Sequence, residues 1–154
     1  QFYHIHGGDA LPMYSVLTRQ SAYVFNPWSD GKRRFARLTS GAFKAMLQEA
    51  KKDPAMAARV KHLQLRSVEE LYNLSNDPGC LANILGNPKS NQQLNHLRGL
   101  LREWMVQVES PALNAFDKRE SKEALERFVQ SYRERARKEV QELKPYEKAN
   151  GYRF

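Results

Sequence analysis

Residues 67–85 read "SVEELYNLSNDPGCLANIL", and the way this stretch divides decides the architecture. The segment Glu69–Leu74, "EELYNL", reads as a short strand closed by a turn at Asn76-Asp77-Pro78-Gly79, since Asn, Asp, Pro and Gly are the residues that turns demand. Cys80 follows, the only cysteine in the chain. A reactive thiol needs a helix N-terminus, a cation or a histidine to lower its pKa. The neighbours Gly79, Leu81 and Ala82 offer none of these. Cys80 is therefore expected to be a small buried hydrophobe.

Working outward, "YSVL" (Tyr14–Leu17) and "AYVF" (Ala22–Phe25) are short β-branched and aromatic runs joined by the polar "TRQS", the pattern of a hairpin. Pro27 and Asp30-Gly31 mark turns beyond it. Phe43, Met46, Leu47 and Ala50 then recur at helical spacing. Asp53-Pro54 opens a second helix, with Asp as N-cap and Pro in the first turn. Its stripe is Met56, Val60 and Leu63. A third helix is predicted from Ser90, with Ser90 and Gln93 as a capping box. Leu94, Leu97, Leu101, Trp104, Met105 and Val108 form its apolar face, and Ser110-Pro111 ends it. The last helix is predicted from about Asp117, with Leu125, Phe128, Val129, Tyr132, Ala136, Val140 and Leu143 on one side. Pro145 is expected to stop it and leave an extended tail. Residues Trp104 and Leu101 are both expected to be buried. The order predicts an α+β unit, a small antiparallel sheet packed by helices.

The 154 residues suit one domain with a core of its own. No apolar run approaches the ~20 residues of a membrane span, so a soluble chain with no membrane partner is expected. The start "QFYHIHGGD" lacks an initiator Met and a leader pattern, and is expected to be an internal point of a longer polypeptide. Lys and Arg total 25 against 17 Asp and Glu, giving +8 and a pI near 9.7. That balance favours polyanions, nucleic acid or acidic polysaccharide, or else is a solvated basic surface. A single cysteine forms no internal disulfide and leaves the redox compartment open.

Three further patterns bear on chemistry. His4 and His6 in "HIH" share one face of a strand, but no third ligand at metal spacing follows, and His62 and His96 stand alone on predicted helices. No metal site is expected; a substrate-facing role for His4 or His6 is, with Gly7-Gly8-Asp9 permitting close backbone approach or forming a plain turn. "DGKRRFAR" gathers Lys32, Arg33, Arg34 and Arg37 after Phe25 and Trp28, a patch that suits phosphate or sulfate groups. No helix-turn-helix, zinc-finger, RNA-recognition, P-loop or G-x-S-x-G pattern accompanies it. No catalytic residue is assigned within the chain.

"EELYNLSNDPGCLANILGNP", then a leucine-rich helix ending "LREWM" and then "SPAL", resembles the C-terminal segment of sulfatases. That family has a Glu-Leu-Tyr-Asp-Leu strand, an Asn-Asp-Pro turn, an Asn-Leu pair and a leucine-repeat helix ending in Trp-Met. "LPMYSVLTRQSAYVFNPWSDGKR" is similar to its Tyr-Pro-Met-Arg hairpin and aromatic continuation. The resemblance spans about residues 2–116 and points to bacterial N-sulfoglucosamine sulfohydrolase-like (heparan N-sulfatase-type) enzymes. Tyr14 stands where the family has Arg, and Asn73 where it has Asp.

The resemblance implies a sulfatase C-terminal subdomain over residues 1–116, with 117–154 a helix and tail packing on the same unit. It implies an N-terminal catalytic domain as partner and a sulfated saccharide of glycosaminoglycan type as substrate. It also implies Ca²⁺, a formylglycine nucleophile and a periplasmic or secreted location. Formylglycine arises from Cys or Ser in Cys/Ser-x-Pro-x-Arg. Cys80 precedes Leu-Ala-Asn-Ile instead, and no serine here begins the motif. Nucleophile and calcium ligands are thus expected upstream of Gln1. By the same resemblance His4, His6 and Asp9 edge the substrate cleft. A free-standing basic module and a purely structural interaction domain are the competing readings; nucleic acid is not the expected partner.

Overall fold

The computed structural model describes residues 11–35 and 41–150, the side chains of 140 and 143–150 excepted. Strands β1 (Tyr14–Leu17) and β2 (Ser21–Phe25) form the expected antiparallel hairpin. Thr18 closes it: its Oγ1 accepts from the backbone N–H of Ser21 at 3.0 Å and of Gln20 at 3.3 Å. Helices α1 (Gly41–Glu49) and α2 (Pro54–Gln64) come next, and β3 (Glu69–Asn73) then pairs antiparallel with β2. The strand order is β1-β2-β3. Helices α3 (Asn91–Gln107), α4 (Leu113–Asp117) and α5 (Lys122–Asn150) complete the unit. It is an α+β fold with a small antiparallel sheet, as the sequence predicts.

The pleat sends alternate side chains to opposite faces. Register puts Tyr14, Val16, Tyr23, Phe25, Glu69 and Leu71 on one face. Leu94, Leu97, Leu101 and Met105 of α3 pack there with Phe116 of α4 and Leu125, Phe128, Val129 and Tyr132 of α5. Phe116 meets Phe25 edge-on at 5.1 Å between ring centroids, a favoured aromatic geometry. Tyr14 belongs to this core, 2% exposed, and burial pushes its hydroxyl pKa up. It contributes packing to this core.

Five local expectations are corrected. The turn lies one residue later, with the Cys80 N–H donating to Asp77 O at 3.1 Å. Asp therefore takes its first position and Pro78 its second, the placement that pre-set φ favours. Ser90 does not cap α3 by its side chain. Asn87 caps a single 3₁₀ turn, Pro88–Ser90, that leads into the helix, and Gln93 instead donates to Ser21 Oγ, tying α3 to the hairpin.

Trp104 is 42% exposed, while Leu101 is 1% exposed. Leu94, Leu97, Leu101 and Met105 hold the centre of the apolar arc. Leu100 and Trp104 lie on its flank beside Tyr14, Ser15 and Val16 of the edge strand β1, beyond the cover that three strands provide.

The last helix also departs from expectation. Asp117 ends α4, and Ser121 caps α5 by accepting from the Ala124 N–H at 3.2 Å. Helix α5 then continues through Pro145 to Asn150. An interior proline removes one backbone hydrogen bond and kinks a helix without always ending it, and Glu147, Lys148 and Ala149 favour helix. Val140 and Leu143 lie outside the described side chains.

Candidate functional site: a cationic cleft at the end of the sheet

Where β2 leaves the sheet and β3 enters it, two loops run side by side. The Asn26 N–H donates to Val68 O at 2.7 Å, and its side-chain amide donates to Ser67 O at 2.8 Å. Ser29 Oγ donates to Arg66 O. Asp30 accepts from the backbone N–H groups of Lys32 (2.9 Å) and Arg33 (2.5 Å), which hold its carboxyl below the usual range. Gly31 has φ +72°, the left-handed conformation that glycine adopts without strain. The turn signal at Asp30-Gly31 thus builds a rigid corner.

The link between α4 and α5 faces this corner, and a cleft of about 530 Å³ lies between them. Trp28, Leu65, Val68, Leu125 and Val129 supply apolar lining; Arg33, Lys61, Arg66, Arg119 and Lys122 supply cations. Among the described residues three carboxylates line it, Asp30, Glu120 and Glu126, two fewer than the cations.

Buried carboxylates fix two of the guanidinium groups. Glu69 and Glu70 are consecutive, so the pleat points them to opposite faces. Glu69 is bidentate to Arg98, at 2.8 and 2.6 Å. It also accepts from the Tyr23 hydroxyl at 2.5 Å and lies 3.2 Å from Arg119 Nε. Arg119 is held further by donation to Phe116 O at 3.1 Å and by stacking 5.3 Å over the Phe116 ring. On the other face Glu70, with a fully buried side chain, pairs with Arg66 and accepts from the Tyr72 hydroxyl at 2.9 Å. Tyr72 also bonds His62 Nε2 at 2.9 Å. Burial chiefly, aided by Arg66 and Arg59 against the opposing pull of Glu70, lowers the His62 pKa from its usual 6.5.

Of the described members of the basic patch, only Arg33 lines the cleft; it donates to Trp28 O at 2.9 Å and lies 3.9 Å from Asp30. Lys32 and Arg34 are exposed, and Arg37 lies outside the described residues. Phe25 and Trp28 are core residues, 0% and 1% exposed, rather than a surface aromatic platform. His4, His6 and Asp9 lie outside the described residues. Cys80 is half-buried, with φ +51°. Desolvation, then the Asp77 carboxylate, raise its thiol pKa, opposite to what a nucleophile needs. The neighbours in sequence hide one fact: Arg59 of α2 donates to the Gly79 and Cys80 carbonyls at 3.2 and 3.3 Å.

No known family model matches the chain, and no curated protein matches it significantly. Among the described residues no group of three or more His, Cys, Asp or Glu side chains is placed to hold a metal ion. With Cys80 outside the modification motif, these residues fit neither calcium nor formylglycine. Among the described residues, no helix is long and apolar enough to cross a membrane.

The sequence reading missed Glu69, Glu70, Arg66, Arg98 and Arg119. One signal was legible: two adjacent acids in a strand otherwise fully buried, Glu69–Tyr72. Buried carboxylates require paired cations. Arg98 and Arg119 lie far along the chain, so spacing alone does not identify them.

Proposed function

We propose that this chain is the C-terminal subdomain of a sulfatase acting on sulfate esters or sulfamates of a carbohydrate. Its part is to complete the fold and to edge the substrate cleft of a catalytic domain that carries the nucleophile and the calcium. One observation supports the reading: Glu69, Glu70, Asp77 and Asn83 of the resembling stretch are bonded into the scaffold. Asp77 accepts from the Leu81 and Ala82 N–H groups at 2.7 and 2.9 Å. Asn83 accepts from the N–H groups of Leu71 and Leu85 at 3.0 and 3.1 Å. Glu69 and Glu70 are bound as described above. Such residues suit a supporting subdomain, since a catalytic group must keep an atom free for substrate.

The test has two arms. The polypeptide upstream of Gln1 is expected to contain Cys/Ser-x-Pro-x-Arg, and the full polypeptide to release sulfate from a sulfated glycosaminoglycan. Residues 1–154 alone are expected to leave an aryl sulfate intact, with or without calcium, having no nucleophile of the required kind. Absence of the upstream motif together with steep, salt-sensitive binding of DNA by the chain would favour the basic binding module instead.

A further inference from the structure

The cleft at the end of the sheet has features that a supporting role leaves unused. Its volume of about 530 Å³ falls in the roughly 300–1,000 Å³ range of small-ligand sites. Apolar side chains line it beside an excess of cations. Two of these cations are already ordered. Arg66 and Arg119 have side chains only 16% and 21% exposed, so little entropy remains to be lost on contact with a ligand. Glu69 is shared between Arg98 and Arg119, which leaves one positive charge of that trio uncompensated. Lys61 and Lys122 stand at the exposed rim. Trp28, nearly wholly buried in the wall, has an indole Nε1 donor with no hydrogen-bond partner among the described residues.

We propose that this cleft binds a small organic oxyanion: a sulfate or phosphate head group carried on a body with an apolar face. Arg66 and Arg119 hold the head group from the wall, Lys61 and Lys122 draw it in from the rim, and Leu65, Val68 and Leu125 take the body. Guanidinium groups suit this role because their donors match oxyanion geometry. The inference stands on the cleft alone and does not require the sulfatase reading.

The two tryptophans supply the readout. Trp28 lines the cleft, while Trp104 is not among its lining residues and lies beside β1. In ¹⁵N-labelled chain, Trp104→Phe assigns the two indole N–H signals. Phenyl phosphate, a sulfated heparin-derived disaccharide, the same disaccharide without sulfate, and inorganic sulfate are then titrated separately. A saturable shift of the Trp28 signal alone is expected with at least one of the two charged organic probes. The tighter of the two identifies the head group. The unsulfated disaccharide, left with only its uronate carboxylate, and inorganic sulfate, which lacks the apolar body, are each expected to bind at least about tenfold more weakly. The doubly substituted Lys61→Gln/Lys122→Gln chain, altered only at the exposed rim, is expected to fold and to bind about tenfold more weakly. A Trp28 signal unmoved by both charged organic probes would overturn the proposal. So would equal shifts at both indoles, an equal response to the unsulfated disaccharide, or unchanged affinity in the double variant.

Discussion

The two faces of the sheet are closed by different physics. On the face that carries Tyr14, Tyr23, Phe25 and Leu71, helices α3, α4 and α5 remove apolar surface from water, and the force is non-directional. On the face that carries Glu70 and Tyr72, α2 and the loop after it attach through a chain of polar groups: Arg66 to Glu70, Glu70 to Tyr72, Tyr72 to His62. The first face tolerates exchange of one apolar group for another of like volume. The second requires each partner in place, because a buried charge left alone is costly. Adjacent residues in one strand, Glu69 and Glu70, serve the two faces separately. Glu69 sets one ionic cluster, with Arg98 and Arg119, into the otherwise apolar face, while the polar face adds a titrating group, His62.

The largest expected effect lies on the polar face. Glu70→Ala removes the carboxylate that pairs Arg66 and accepts from Tyr72, and is expected to cost about 3–5 kcal/mol. Urea unfolding measures it. A loss under about 1 kcal/mol would mean that water replaces the carboxylate and that the two faces do not differ in kind.

The apolar face is tested within a single helix. Leu101→Ala is expected to cost about 2–5 kcal/mol, as large-to-small core changes do, whereas Trp104→Ala is expected to cost far less, roughly 0.5–1 kcal/mol, for a half-exposed side chain. Equal losses at the two positions would show that the α3 arc is covered more widely than the three strands allow.

The smallest effect is the pH dependence. The unfolded chain protonates His62 near its usual 6.5, while the folded chain does so at lower pH. Above 6.5 both states are neutral and the full stability is present. As pH falls through 6.5 towards the folded value, the unfolded state takes up the proton first, and stability declines. Unfolding midpoints between pH 7.5 and 5.5 are expected to fall in the native chain and to fall less in His62→Gln. Identical slopes in the two would remove His62 from the polar face's account.

Local chemistry made much of this fold legible. The hairpin is written in two β-branched and aromatic runs around Thr18, the α2 start in Asp53-Pro54, whose carboxylate accepts from the Ala55 N–H at 2.8 Å, and β3 in "EELYN". Each signal acts over a few residues, through dihedral preference or a side chain bonding its own backbone. The centre of the α3 stripe was equally plain, since helical spacing aligns Leu94, Leu97, Leu101 and Met105 whatever they pack on.

The sequence by itself thus determined the three strands, helices α1 to α3 and their order, and the main buried stripe. Tertiary structure alone decided three matters. The width of the sheet left Trp104 half in solvent. The pleat sent Glu69 and Glu70 to separate arginines on distant segments. The meeting of the 27–33 loop, the 65–68 loop and the start of α5 made a cleft from residues that no motif links. These outcomes depend on where independently folded pieces meet, and periodicity reports which face of an element is apolar without reporting how far its neighbour extends.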